Sequence, residues 1–232
     1  MKRLGVIIPS SNTTVEPEFC TALNGSDVTL HFDRIHLNNV NVKDLQDMEK
    51  ETVLAAKLLA DAAVDLIVFA CTSGSLINGL GYDKAIAEKI AKTAGCPAVT
   101  TSSAVVDALN MLDAKCIGLA TPYIDEVVQK EIVFLKKSGF KIENHKSLGI
   151  EENLKIGKLT PNDAQELAKK TDSPLAQAIF ISCTNFRTFE ALPLLEAQLG
   201  KPVVSSNSAT LWASLKMLQK PVQVNLGRLF SV

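Results

Sequence analysis

The sequence predicts an α/β protein of two related lobes, each with a mostly parallel four-stranded sheet flanked by helices. Three observations lead to this prediction. Short apolar strands alternate with segments whose apolar residues recur at helical spacing. The strands LIVFA (66–70) and AIFI (178–181) are apolar throughout, which is typical of parallel strands covered on both faces. The pattern of the first half also returns in the second, which indicates an internal duplication.

The duplication rests on three segments that return in the same order at nearly the same spacing. It places Cys71 and Cys183 at equivalent strand ends, so we predict a first lobe at 1–112, a second at 113–232 and a site between them. The pairs are LGVIIPSSN (4–12) with IGLATPYID (117–125), DLIVFACTSGS (65–75) with QAIFISCTNFR (177–187), and PAVTTSSA (97–104) with PVVSSNSA (202–209).

In the first half, apolar and β-branched runs predict the strands, and segments with helical spacing fill the gaps. The helix at 42–63 is the clearest, because VLAAKLLADAA places apolar residues on one face. The predicted order is strand 4–8, helix 13–23, strand 28–35, helix 42–63, strand 65–70, helix 83–94, strand 98–100 and helix 102–112.

The second half repeats this alternation, and no Gly/Ser linker separates the two halves. Ligands of open parallel sheets bind beyond the carboxyl ends of the strands, so both cysteines fall where a site is expected. The predicted order is strand 116–120, helix 123–138, strand 140–147, helix 160–171, strand 178–181, helix 189–199, strand 203–205 and helix 209–218.

Composition and charge exclude several classes of function. The net charge is −1 and no cluster of Lys or Arg is longer than two, which argues against nucleic-acid binding. The longest apolar run, 66–71, is far shorter than the ~20 residues that span a bilayer. The first strand follows the N-terminus directly, so we expect no signal peptide. Five cysteines without a C-x-x-C pair predict reduced thiols in a cytoplasmic protein and no metal site.

The cysteines at the two strand ends are the candidates for chemistry. Cys71 precedes Thr-Ser-Gly-Ser, whose backbone N–H groups can hold a carboxylate and lower the pKa of the thiol. A cysteine at a strand end is more often a small buried apolar residue. The repeat favours function, because Cys71 and Cys183 are equivalent and both precede a threonine. We expect the other three, Cys20, Cys96 and Cys116, to serve packing.

Three motifs resemble the aspartate/glutamate racemase superfamily and, within it, the maleate cis-trans isomerases. They are PSSNTTVEPEF (9–19), CTSGS (71–75) and SCTNFR (182–187), and the resemblance covers essentially the whole chain. Arylmalonate decarboxylases are similar in their opening motif but keep only the second cysteine. The presence of both cysteines favours the isomerases and racemases.

The resemblance implies an Asp/Glu racemase-like fold and an enzyme without cofactor or metal. Cys71 corresponds to the nucleophile, which adds to the maleate double bond. Cys183 corresponds to the residue that supplies a proton to the neighbouring carbon or stabilises that centre. The expected partners are a small dicarboxylate and a second copy of the chain in a homodimer, with no nucleic acid and no membrane.

The expected substrate-binding residues supply neutral donors to a dianion. Asn12 and Tyr123 match carboxylate-binding residues of the family, and Asn153 does so by position. Asn12 could instead cap the following helix, and Tyr123 could be a half-buried surface aromatic. Thr72, Ser73 and Thr184 offer hydroxyl and backbone donors beside the cysteines.

Two other functions stay open at this point. A racemase of an acidic amino acid would use the two cysteines as a thiolate–thiol pair that removes and returns an α-proton. A binding module could hold a dicarboxylate between two lobes without reaction, although it would not need two equivalent thiols. The TTVEPE opening and the Thr-Ser that follows Cys71 favour the isomerase.

Overall fold

Two four-stranded parallel sheets form the centre of the protein in a computed structural model, which describes residues 1–220 and 224–232. The first sheet has the strand order β2-β1-β3-β4 and the second the order β6-β5-β7-β8. All pairs of neighbouring strands are parallel. The predicted fold class is therefore confirmed, and the repeat relates strand to strand in the two halves.

The first half contains four strands and six α-helices. In order they are β1 (Lys2–Pro9), α1 (Val15–Ala22), β2 (Val28–Ile35), α2 (Val42–Met48), α3 (Thr52–Asp61), β3 (Leu66–Phe69), α4 (Thr72–Leu76), α5 (Tyr82–Ala94), β4 (Ala98–Thr100) and α6 (Thr101–Met111).

The second half contains four strands and five α-helices among the described residues. In order they are β5 (Cys116–Thr121), α7 (Asp125–Lys137), β6 (Lys141–Ser147), α8 (Asn153–Ile156), α9 (Pro161–Thr171), β7 (Ala178–Ile181), α10 (Leu192–Leu199), β8 (Val203–Ser205) and α11 (Ser206–Met217).

The predicted single helix at 42–63 is wrong, because a 3-10 turn at Glu49–Glu51 divides it into α2 and α3. The two parts bury different surfaces: α2 buries Leu45 and Met48, whereas α3 buries a stripe of small residues around Ala55 and Ala56. A 3-10 turn is tighter than an α-helical turn and rotates the buried stripe between them. Sequence periodicity did not reveal this local change of pitch.

The two halves meet through α6 and α11, which pack against each other. Each helix begins at the end of an edge strand, where Thr100 and Ser205 cap the first turn through their side-chain oxygens. The Thr210 hydroxyl on α11 donates to the Thr101 hydroxyl on α6 at 2.9 Å. Since α11 also contacts β3 and β4, the halves share packing, and the lobe boundary at 112/113 stays a prediction.

Within residues 1–220 and 224–232, none of the helices combines the length and apolar character that crossing a bilayer requires. No cluster of three or more His, Cys, Asp or Glu side chains in these ranges is arranged to hold a metal ion.

Candidate active site

The first strand-end cysteine, Cys71, directly precedes α4 and caps it. Its sulfur accepts a hydrogen bond from the backbone N–H of Gly74 at 3.4 Å, and the Ser73 hydroxyl lies 4.0 Å from it. A Cβ at Gly74 would lie 2.9 Å from this sulfur and 2.4 Å from Cε of Met48, so any side chain there would have to displace the Met48 side chain and press on the thiol. The small residues of CTSGS thus allow the backbone to wrap closely around a buried thiol.

The second strand-end cysteine, Cys183, has an unusual backbone conformation. Its φ of 97° lies in the region that favours glycine, which costs a cysteine roughly 1–3 kcal/mol. Its N–H donates to the Ser206 hydroxyl at 3.0 Å, and its sulfur accepts from the N–H of Asn185 at 3.4 Å. These contacts hold a strained residue at the end of β7, and strain of this kind is concentrated at functional sites.

Hydrogen bonds join the two cysteine turns directly. The Thr184 hydroxyl donates to the carbonyl of Ala70, the residue before Cys71, at 3.1 Å. The Thr72 hydroxyl donates at 2.7 Å to Ser206, which also accepts from the backbone of Cys183. Both strand ends therefore belong to one buried polar network.

Asn12 performs two tasks with different atoms. Its Oδ1 accepts from the N–H groups of Thr14 and Val15 at 2.9 and 3.0 Å, so the helix-capping alternative holds for this atom. Its Nδ2 donates to the Thr184 hydroxyl at 3.2 Å, which places the amide beside the second cysteine turn. One Nδ2 hydrogen faces Thr184 and the amide has a second to offer.

Tyr123 is 1% exposed, so the alternative of a half-buried surface aromatic is wrong. Burial raises the pKa of its hydroxyl well above the ordinary value, and the charges of Cys183, Glu131 and Cys71 raise it further. The phenol is therefore close to both thiols and stays protonated as a hydrogen-bond donor.

Asn153 lies at the start of α8 and is buried against the loop that follows β1. Its Nδ2 donates to the Ser11 hydroxyl at 2.8 Å, and its carbonyl accepts from Nδ2 of Asn185 at 2.8 Å. Its own N–H donates to the carbonyl of Asn38 at 2.9 Å. The short helix α8, which periodicity did not predict, thus carries an asparagine to the site.

Both thiols have a raised pKa, contrary to the expected lowering. Burial raises the pKa of Cys71 to about 11, against the opposing effects of the Gly74 N–H and the Ser73 hydroxyl. Burial raises that of Cys183 to about 12, against Tyr123 and the Asn185 N–H. The expectation considered only the donors, whereas loss of water around a thiolate has the larger effect here.

Sequence reasoning missed several polar residues that build this site, among them Ser206, Asn185 and Asn207. Asn185 lies within the SCTNFR motif and Asn207 within the repeated PVVSSNSA segment, but neither was singled out as a site residue. Ser206 was detectable only as part of the repeated PVVSSNSA segment, since it begins the helix that follows the edge strand.

Two buried glutamates were also missed, although the repeat relates them. Glu18 on α1 and Glu131 on α7 lie 113 residues apart, the offset of the strands before them. Burial raises the pKa of each to about 7. Glu18 accepts from the N–H groups of Thr188 and Phe189 at 2.6 and 2.9 Å and from Asn207 at 2.5 Å. It thereby connects α1 of the first half to the chain that follows Cys183.

We predict that Glu18 makes the protein less stable as the pH rises through neutrality. Its folded-state pKa of about 7 exceeds the ordinary value of 4.5, so its stabilising contribution is complete below pH 4.5 and is lost as the pH rises to about 7. The full effect is at most about 3 kcal/mol. Thermal unfolding of Glu18→Gln should therefore depend less on pH between 5 and 8 than that of the wild type. Glu16→Gln, at a half-exposed position on the same helix, is the control, and equal slopes in all three proteins would contradict the prediction.

Known proteins of one family match this chain over almost its full length. The family model described as arylmalonate decarboxylase matches residues 4–230. A maleate isomerase of Pseudomonas putida is 30% identical over 99% of this chain and 97% of its own length. The maleate isomerase of Geobacillus stearothermophilus is 31% identical, with the same two coverages.

Solved structures give the same result. The maleate isomerase Iso from Pseudomonas putida S16, in a structure with maleate, superposes with a TM-score of 0.95 at 28% identity, covering 99% of this chain and 97% of that one. A maleate cis-trans isomerase mutant of Nocardia farcinica, with a covalently bound succinylcysteine intermediate, has a TM-score of 0.95 at 26% identity, with coverages of 99% and 98%. The chain therefore belongs to the arylmalonate decarboxylase family of the aspartate/glutamate racemase superfamily, and within it is close to the maleate isomerases.

Proposed function

We propose that the protein is a maleate cis-trans isomerase that converts maleate to fumarate through a cysteine adduct, without a cofactor. The observation that carries the proposal is the pair of equivalent cysteines, Cys71 and Cys183, in one buried network of hydroxyl and amide groups. The succinylcysteine in the Nocardia farcinica structure supports the covalent route.

The reaction begins with the small fraction of Cys71 that is deprotonated under its raised pKa, and this thiolate adds to one carbon of the double bond. Cys183 gives its proton to the neighbouring carbon, so a succinyl thioether forms and the C=C becomes a single bond. Rotation about this bond is then easy. The Cys183 thiolate removes a proton from the same carbon, the C–S bond breaks, and fumarate leaves as Cys71 recovers its thiolate.

Neutral donors hold the two carboxylates of the substrate. Asn12 Nδ2, the Tyr123 hydroxyl and the Asn153 amide supply side-chain donors around the thiols. Thr72 and Thr184 already donate their hydroxyls, to Ser206 and Ala70, so they bind substrate through backbone N–H groups. Ser73 has its hydroxyl beside the Cys71 sulfur.

All five cysteines are free thiols and form no disulfide among the described residues, which supports a reducing, cytoplasmic location.

We propose in addition that the protein forms a homodimer. Light scattering in solution tests the oligomeric state.

The direct test is incubation of the purified protein with maleate and, separately, with L-aspartate and D-aspartate. We expect fumarate from maleate, seen as the trans-vinyl proton signal in NMR, and no change in the chirality of aspartate. Racemisation of aspartate without fumarate would instead establish the two-cysteine proton-transfer alternative. Saturable binding of maleate without any product would reduce the protein to a dicarboxylate-binding module.

A further inference from the structure

The backbones of the two cysteines differ, although the repeat makes the residues equivalent in position. Cys71 is extended, with a φ of −142°, whereas Cys183 has a φ of 97°. A left-handed φ at a residue with a side chain persists only where the surrounding structure over-determines it. The contacts around Cys183 therefore identify what imposes its conformation.

Three successive residues at the second cysteine are each bound to a side chain of another element. Ser182, before it, donates its hydroxyl to the buried carboxyl of Glu131 on α7. The N–H of the cysteine donates to the hydroxyl of Ser206 at 3.0 Å. The carbonyl of Thr184, after it, accepts from Nδ2 of Asn207 at 3.0 Å. Two of these three contacts come from consecutive buried residues in the first turn of α11.

Both of these α11 side chains are also bound to the first half of the chain. The hydroxyl of Thr72, next to the first cysteine, donates to Ser206 at 2.7 Å. Nδ2 of Asn207 donates to Glu18 on α1 at 2.5 Å, and its two hydrogens can serve Glu18 and Thr184 together. The groups that hold the second cysteine are therefore fixed relative to the turn of the first.

The repeat shows which of these contacts belongs to the second cysteine alone. Ser102, the equivalent of Asn207, donates to the carbonyl of Thr72 at 3.0 Å, so the contact to the threonine carbonyl occurs in both halves. Thr101 is the equivalent of Ser206, but its hydroxyl donates to the carbonyl of Phe69 at 3.4 Å. Among the described residues, only the strained cysteine donates its N–H to a side chain at this position.

We infer that Ser206 is a positioning residue for Cys183: held by Thr72, it accepts the N–H of Cys183, imposes the left-handed conformation and so places the sulfur for proton transfer. Its catalytic meaning rests on the proposed function, in which a shift of about 1 Å in a catalytic group costs roughly 10²-fold in rate. The conformational effect of Ser206 is independent of any reaction.

The first test measures the strain without relying on activity. Glycine tolerates a left-handed φ and alanine does not, so Cys183→Gly should unfold at a higher temperature than Cys183→Ala, by about 2–4 °C. In a Ser206→Ala background the backbone at this position can relax. The difference between the glycine and alanine variants should then disappear or reverse, because glycine has more conformational freedom to lose on folding. An undiminished difference would overturn the inference.

Ser214→Ala provides the matched background. Ser214 is a buried serine on the same helix, and its hydroxyl donates to the carbonyl of Thr210 within α11 at 2.7 Å. The full difference between Cys183→Gly and Cys183→Ala should persist there; its loss would mean a general loosening of α11 and would contradict a specific role of Ser206. Should Ser206→Ala fail to fold, Ser206→Cys replaces it, since a thiol keeps the shape but is a weak acceptor.

Turnover provides a separate readout. With maleate, kcat of Ser206→Ala should fall by about 10²-fold while KM stays within about threefold, because Asn12 and Tyr123 remain in place to bind carboxylates. Ser206→Thr keeps the hydroxyl and should recover most of the lost kcat. A raised KM with unchanged kcat, or equal losses in the alanine and threonine variants, would contradict a positioning role.

The two readouts separate this inference from the proposed function. Absence of maleate turnover in the wild type would overturn the proposed function. The unfolding temperatures would still decide whether Ser206 imposes the conformation of Cys183.

Discussion

Replacement of Cys71 by serine should abolish isomerisation while the protein stays folded. The hydroxyl occupies nearly the same space as the thiol, but it is a far weaker nucleophile toward an activated double bond. We expect kcat to fall by about 10³-fold or more, since in the proposed mechanism Cys71 alone forms the bond to carbon and Cys183 transfers the proton. Fumarate formation measures the loss, and circular dichroism with thermal unfolding checks the fold.

Cys20→Ser is the matched control, because Cys20 is an exposed cysteine on α1. Its activity should equal that of the wild type. Near-normal turnover in Cys71→Ser would contradict the covalent mechanism, whereas equal losses in both variants would point to a general effect of cysteine replacement.

Replacement of Cys183 by serine should stop turnover at a different step. Loss of a proton-transfer group costs roughly 10²–10⁴-fold, but the Cys71 nucleophile remains. The variant should therefore form an adduct with maleate, slowly or as a trapped species. Intact mass spectrometry would show the addition of about one substrate mass, located on the Cys71 peptide after digestion.

The pattern of adducts across the two variants decides the roles. An adduct on Cys71→Ser and none on Cys183→Ser would mean that the roles are reversed. If neither variant nor the wild type ever carries one, proton transfer between two thiols becomes the better account, as in a racemase.

Much of this architecture was predictable because the sequence states it twice. Strand ends depend on local apolar runs, and the repeat supplied an internal check on each of them, so Cys71 and Cys183 were found together. The resemblance to the family added Asn12 and Tyr123. These residues follow strands directly, where position along the chain determines position in space.

What could not be predicted depends on contacts between distant parts of the chain. Ser206 and Asn185 matter because of what they touch, more than by their own residue type. The raised pKa of both thiols follows from burial, which a motif does not report. The 3-10 turn that divides the helix at 42–63 reflects two different packing partners, and the helical spacing of the residues continues through it.

The residue before the second cysteine, Ser182, bonds to Glu131, whereas the residue before the first cysteine is Ala70. A duplicated chain can hold such a difference between its halves. In a symmetric dimer of two identical half-length chains, whatever surrounds one thiol must also surround the other. In such a dimer the two thiols have identical surroundings until a substrate binds, so only the bound substrate could make one the nucleophile and the other the acid. Joining the halves in a single polypeptide frees the second half to place serine where the first has alanine. The covalent continuity of the chain therefore allows the surroundings of the two sulfurs to differ before any substrate binds.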